Sequence, residues 1–318
     1  MTHIKGILGM KVKVSNIAFS KNQYLVEQLV SEFPDAEVNV KGIRMNGEDL
    51  VEYFLGAEAV IVGLEQITPS LLDKLPEIKI IAKYGVGLDN VDLNACRERS
   101  VVVGWTGGVN KRSVAEIALG FMLALCRNLY ITSNQLKQLT WNKSGGTQLT
   151  GKTVGIIGLG NIGKELVELL KPFNCNILVN DVIDIKNYCV DNGLIEVTKD
   201  ELYSQSDFIS VHTPLTPEMN GIFDCKVFEK MKPTAFLINT ARGGIVNEQD
   251  LKSALKNNVI AGAALDVYEQ EPPEDAEFLA LPNLISTPHT GGNSYEAVVA
   301  MGVSAIGHLV NYRDKVAK

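Results

Sequence analysis

Three glycines near the middle of the chain carry the first chemical signal. Thr153 to Asp181 reads TVGIIGLGNIGKELVELLKPFNCNILVND. Gly158, Gly160 and Gly163 form a G-x-G-x-x-G turn, with Asn161 and Ile162 inside it. Gly158 permits a tight turn, Gly160 lets a pyrophosphate approach the backbone, and Gly163 lets helix and strand pack closely. The helix that follows offers free N–H groups and a partial positive charge to phosphates. Asp181 stands eighteen residues after Gly163. Its carboxylate can accept hydrogen bonds from an adenosine ribose and would repel a 2′-phosphate, which favours NAD over NADP. Glycine-rich turns are common, but here strand, helix, second strand and terminal acid all fall at the required spacing. Dinucleotide binding is the working conclusion.

A second set of groups lies downstream. Asp207–His212, Ala235–Asn239, Ile260–Asp266 and Leu284–Thr287 are short apolar runs, as fully buried parallel strands should be. Ligands of open parallel sheets bind at the carboxyl ends of the strands. That rule selects His212, Arg242, Asp266, Glu269, Glu271 and His289. A base, an acid and a cation on neighbouring strand ends is what oxidising an alcohol requires. A histidine can take the hydroxyl proton as hydride departs. A carboxylate on its other ring nitrogen would hold the tautomer and favour the imidazolium. An arginine can grip a substrate carboxylate or polarise a carbonyl through fixed donors. Glu269 and Glu271 compete for the histidine, and spacing does not separate them. His212 is expected to line the cofactor site or satisfy backbone rather than catalyse, and His3 and His308 are set aside.

The elements that position these groups follow from alternating patterns. In the glycine-turn unit Thr153–Gly158 and Asn176–Asn180 are strands, and Leu166, Leu169 and Leu170 make the stripe of the helix between them. With the four later strands they give about six, as in a full dinucleotide-binding sheet. Helices are expected at Lys199–Ser204, Cys225–Lys230 and Glu248–Asn257. Upstream, strands are expected at Val12–Ile17, Ala36–Val40, Ala59–Val62, Ile78–Ala82 and Val101–Val103, with helices at Asn22–Phe33 and Val91–Arg97. This is a second parallel α/β unit without a dinucleotide fingerprint. Its turn Lys83-Tyr84-Gly85-Val86-Gly87-Leu88-Asp89-Asn90 could present N–H groups to an anion or be a plain βα turn. Ser113-Val114-Ala115-Glu116 has the form of a capping box ahead of an apolar Ile117–Cys126 helix, and 131–150 reads as an exposed polar connection. A helix from Ser294 is expected to return to the first unit.

The fold expected is therefore α/β: two doubly wound parallel-sheet, Rossmann-like domains with a cleft between them, the cofactor domain inserted into the substrate domain. Residues 1–108 with 295–318 make a flavodoxin-like substrate domain, and 109–294 the NAD-binding domain. The composition of the 318-residue chain, 46% hydrophobic and 21% charged, supplies material for two cores. A net charge of −7 argues against non-specific nucleic-acid binding. Cys96, Cys126, Cys175, Cys189 and Cys225 follow neither disulfide nor metal spacing, so no metal is expected and a reducing cytoplasm is. The ten-residue apolar run at 117–126 is too short to span a membrane, and the first residues do not form a signal peptide.

Asn239-Thr240-Ala241-Arg242-Gly243-Gly244, Asp266-Val267-Tyr268-Glu269-Gln270-Glu271-Pro272 and Thr287-Pro288-His289-Thr290-Gly291-Gly292 together resemble the D-isomer-specific 2-hydroxyacid dehydrogenases, from about Ala59 to Met301. The resemblance implies NAD-dependent interconversion of a D-2-hydroxy acid and its 2-keto acid. It makes Arg242 the substrate-binding and activating arginine and assigns Glu271, rather than Glu269, as the partner of His289. Asp266 would hold the nicotinamide carboxamide, Thr213 and Pro214 would wall the adenosine, and Thr240, Ala241 and Gly291 would border the cofactor. The Val86-Gly87 backbone would bind the substrate carboxylate, with Asn110 beside it.

Within that family the chain looks most like short phosphoglycerate dehydrogenases, on the Asn110-x-Arg112-Ser113-Val114-Ala115-Glu116 motif. One departure is notable: Gly63-Leu64-Glu65-Gln66 stands where those enzymes often carry Arg-Ser. A phosphate would need another cation, such as Lys83 or Arg112. Glyoxylate or hydroxypyruvate reduction is the alternative, and an NAD-sensing protein-interaction corepressor a remote one. A regulatory domain after the last helix is not expected, nor is feedback by serine through one. Relatives usually dimerise through the cofactor domain, and a homodimer is expected.

Overall fold

The computed structural model describes residues 9–317. His3 and the N-terminal residues read for a signal peptide lie outside the described residues. By internal contact the chain divides into two units, Met1–Asn110 with Gly292–Lys318, and Lys111–Gly291.

In the first unit five strands, β1 (Val12–Val14), β2 (Glu37–Val38), β3 (Ala59–Val62), β4 (Ile80–Lys83) and β5 (Val102–Gly104), pair in parallel in the order β2-β1-β3-β4-β5. This is a doubly wound order with its switch point between β1 and β3. Every residue of β1, β3 and β4 is buried, so their runs are continuously apolar rather than alternating, Lys13 and Lys83 excepted. One face packs Phe19, Leu25, Leu29 and the late-chain Met301, Ala305 and Leu309, the other Leu50, Phe54, Leu71 and Leu72.

The second unit holds seven strands. They are β6 (Thr153–Ile157), β7 (Asn176–Asn180), β8 (Ile195–Glu196), β9 (Phe208–Val211), β10 (Phe236–Asn239), β11 (Gly262–Leu265) and β12 (Leu284–Ser286). All pair in parallel in the order β12-β11-β10-β9-β6-β7-β8, the dinucleotide-binding order extended by one strand. The strand beyond that order is β12; at the opposite edge β8 is two residues long and exposed, hence without the apolar run that marks the others.

Four local expectations are corrected. The run 12–17 is not one strand, because Asn16 caps a short helix by accepting from Phe19 N–H. Ser113 is no cap: the helix runs Lys111–Cys126, and the Ser113 hydroxyl donates instead to the Gly291 carbonyl at 2.6 Å. Residues 131–150 are not all connection, because a helix covers Leu129–Lys137 after Asn128 turns left-handed at φ 52°. It buries no residue, so its sequence carries no apolar stripe. In the glycine-turn helix Leu166, Val167 and Leu170 are buried, with Leu169 at the margin.

No single described helix is long and apolar enough to cross a membrane. The Lys111–Cys126 and Leu129–Lys137 pair has the length only together, and is bent by 65°.

The 22-residue helix Tyr295–Val316 packs on β4 and on the Gln23–Glu32 helix of the first unit. Contact is close at Gly302, where an added Cβ would sit 2.3 Å from a Leu25 methyl. Gly302→Val should overpack this junction and cost about 1–3 kcal/mol, read as a lower urea midpoint. An unchanged midpoint would show that the helix does not rest there.

Candidate active site

The glycine turn sits at the switch point between β6 and β9. Gly158 has φ 95°, and an added Cβ would lie 2.5 Å from the His212 carbonyl oxygen. At Gly163 an added Cβ would come within 2.2 Å of the Gly158 oxygen, so the helix is packed directly on the turn. Gly160 differs: nothing lies within 4 Å of its Cβ position. That open space faces the start of the Asn161–Leu170 helix, whose N-cap Gly160 supplies no side-chain acceptor. Three polar atoms at the adjoining strand ends, His212 Nδ1, Thr213 Oγ1 and Thr240 Oγ1, are buried without a hydrogen-bond partner in the protein. A cradle with unspent donors and a closely approachable backbone fits a dinucleotide.

Asp181 directly follows β7 with a partly exposed carboxylate. One oxygen accepts from Leu159 N–H of the glycine turn at 2.6 Å, the other from Val182 N–H at 2.7 Å. The acid thus ties its strand to the turn and keeps lone pairs for a ribose.

Arg242, Asp266 with Glu271, and His289 follow the consecutive neighbours β10, β11 and β12. The Asp266 carboxylate is 1% exposed. One oxygen accepts from the Thr287 hydroxyl at 2.6 Å and Thr290 N–H at 2.8 Å, the other from Gly291 N–H at 2.7 Å. These bonds clamp the loop on both sides of His289, whose backbone is left-handed at φ 53°. Such a conformation costs on the order of 1–3 kcal/mol in a residue other than glycine and persists only when its surroundings hold it. Gly291 is required by the clamp, since its Cβ would lie 2.8 Å from an Asp266 oxygen.

Glu271 lies 2.9 and 3.0 Å from His289 Nδ1, and one of its oxygens also accepts from Tyr268 N–H at 3.2 Å. A carboxylate only accepts, so Nδ1 carries the proton and Nε2 is the basic nitrogen of neutral His289. Glu269 is elsewhere: its N–H donates to Glu248, and it accepts from Glu248 N–H at 3.2 Å. The choice that spacing left open is decided by distance. Arg242 is anchored through its backbone, with its carbonyl accepting from the Asn239 amide at 2.8 Å. Gly243 then packs against the Tyr268–Glu269 peptide, where a Cβ would approach to 1.9 Å. The Tyr268 hydroxyl lies 3.1 Å from the Thr287 carbonyl and links the β11 and β12 ends. Tyr268, Thr287 and Thr290 escape sequence reasoning, although both threonines flank the Pro288-His289 pair.

His212 Nε2 lies 2.8 Å from the Ser210 hydroxyl, away from the Glu271–His289 pair's bonding. Pro214 follows it on the surface, and Ala241 is buried with its N–H on Asn239. In the first unit Asn110 is buried, with Oδ1 unpartnered. Lys83 is buried too, donating to the Gly63 carbonyl and to Asn90 Oδ1 at 2.8 Å. Arg112 pairs with Glu165 at 3.3 Å and Glu116 at 3.6 Å. Both cations named for a phosphate are engaged. Among the described residues no cluster of histidine, cysteine or acids could hold a metal.

Residues 119–291 match the family described as D-isomer specific 2-hydroxyacid dehydrogenase, NAD binding domain. The chain belongs to that family. Over 280 residues it is 38% identical to a D-3-phosphoglycerate dehydrogenase of Methanocaldococcus jannaschii, covering 86% of this chain and 53% of that one. It thus spans about half the length of the phosphoglycerate dehydrogenases it matches. A hydroxypyruvate reductase of Thermotoga maritima is 34% identical over 276 residues, 85% of this chain and 89% of that one. A structure from Polaromonas sp. JS6 66 assigned to the same family superposes with TM-score 0.89 at 29% identity, covering 96% and 97% of the two chains. The dinucleotide of the family's cofactor domain is NAD, in keeping with the acid at the end of β7.

Burial pushes the His212 pKa down from 6.5 to about 4. The unfolded chain therefore binds a proton here first, and the contribution to stability is present above pH 6.5 and lost as pH falls towards 4. Urea midpoints should fall over that window, and less steeply in His212→Gln. Parallel slopes would place the titration on other groups.

Proposed function

We propose that the protein interconverts a D-2-hydroxy acid and its 2-keto acid with NAD, with D-3-phosphoglycerate as the first candidate substrate. The observation that carries this is the Glu271–His289 pair at 2.9 Å, held by Asp266 beside the strand end of Arg242. Bound NAD supplies the hydride acceptor. His289 Nε2 takes the hydroxyl proton in oxidation and returns it in reduction, a role worth ~10²–10⁴-fold in rate. Glu271 keeps the ring oriented and offsets the imidazolium charge. Arg242 holds the substrate carboxylate or polarises the keto oxygen. The Val86–Gly87 backbone takes the carboxylate, with Asn110 near it. Asp266, as a proposed nicotinamide carboxamide ligand, would act while its oxygens hold the loop.

A second reading, reduction of glyoxylate, hydroxypyruvate or another unphosphorylated 2-keto acid, is favoured by one observation. Lys83 and Arg112 are already committed to partners, so a phosphate would have to compete for them.

His289→Ala and Arg242→Ala should each abolish turnover while NADH binding, followed by nicotinamide fluorescence, largely survives. Full activity in either would overturn the roles. Values of kcat/KM for 2-keto acids with and without a 3-phosphate, using NADH and NADPH, separate the two readings, and turnover of none would reject both.

The proposal includes a homodimer working in the cytoplasm. Support for self-association comes from Leu136, Leu139 and Trp141, apolar side chains 53%, 94% and 78% exposed on one arm of the cofactor unit. Small-angle scattering should give a dimer mass. A monomer mass would remove this part.

A further inference from the structure

At the carboxyl edge of the first unit's sheet, the turn after β4 is tied to the segment after β5. The indole N–H of Trp105 donates to the Val86 carbonyl at 2.9 Å. That carbonyl belongs to the same peptide group as the Gly87 N–H. A peptide group is planar and trans, so its oxygen and its hydrogen point in opposite directions. Fixing the oxygen therefore fixes the direction of the Gly87 N–H.

Trp105 is itself held in place from the other side. The hydroxyl of the next residue, Thr106, lies 2.8 Å from His308 Nε2 on the Tyr295–Val316 helix. On the preceding residue, Gly104, a Cβ would come within 2.5 Å of His308 Cβ, so strand and helix backbones are in close approach. The tryptophan springs from an anchored base although its ring is 41% exposed. The turn it holds needs such a tie, since Gly85 has φ 123° and two glycines in three residues leave the backbone loose.

We propose that Trp105 is a positioning residue for substrate: it orients the Val86–Gly87 peptide so that the Gly87 N–H meets the substrate carboxylate. This rests on the reading of that turn as the carboxylate site. Without the indole N–H the peptide can rotate, and the donor must be ordered again at each binding event. The loss falls on substrate binding and leaves the cofactor unit untouched.

Trp105→Phe keeps an aromatic ring and deletes the donor. With the best 2-keto acid of the panel, KM should rise roughly three- to tenfold, the range expected for one neutral hydrogen bond. The dissociation constant for NADH should not move. A second readout is spectroscopic, because the chain has two tryptophans. In Trp141→Phe the remaining emission is that of Trp105, and oxamate added to the NADH-saturated protein should shift it. An unchanged KM in Trp105→Phe, or emission indifferent to oxamate, would overturn the proposal while catalysis stands. A wild-type protein that turns over no 2-keto acid would instead remove the reading beneath it.

Discussion

A buried carboxylate holds the chemistry of this fold together. Asp266 has given up water, and the compensation comes from two backbone N–H groups and two hydroxyls, all from the Thr287–Gly291 loop. An ionised group in the interior is tolerated only where its lone pairs are filled in this way. The consequence is geometric. The strand end of β11 grips the loop after β12, and that grip keeps His289 left-handed with its ring on Glu271. A loop without the clamp would relax to an ordinary backbone and lose the pair.

The parallel sheet makes such a clamp possible. Consecutive parallel strands deliver their carboxyl ends to one edge, so groups far apart in the chain meet without long loops. Tight packing then sets the fine spacing. Gly243 against the Tyr268 peptide and Gly291 against Asp266 are approaches that any larger residue would prevent. On the other side of the switch point the same logic yields a different product: glycines leave backbone donors and open space over Gly160 where phosphates would lie.

Much of this is legible in the residues, for identifiable reasons. Buried parallel strands are continuous apolar runs, and the sequence marks Ala59–Val62 and Asn176–Asn180 to the residue. The glycine turn announces itself because each glycine has a separate mechanical duty. What escapes has equally physical causes. β8 and the Leu129–Lys137 helix bury little or nothing, so no periodicity marks them. Ser113 has the spacing of a cap, but a tertiary partner, the Gly291 carbonyl, takes its hydroxyl. Spacing does not choose between Glu269 and Glu271, because both closely follow the end of β11. The family resemblance names Glu271, and in the fold Glu269 faces Glu248 while Glu271 lies on His289.

The most direct measurement is a crystal structure of the protein with NADH and oxamate bound. The account predicts His289 Nε2 about 2.6–3.2 Å from the oxygen on the carbon that would receive hydride, with Nδ1 still on Glu271 and the loop still clamped by Asp266. A ring turned out of reach of that oxygen, or a Glu271 that has left the histidine, would contradict it.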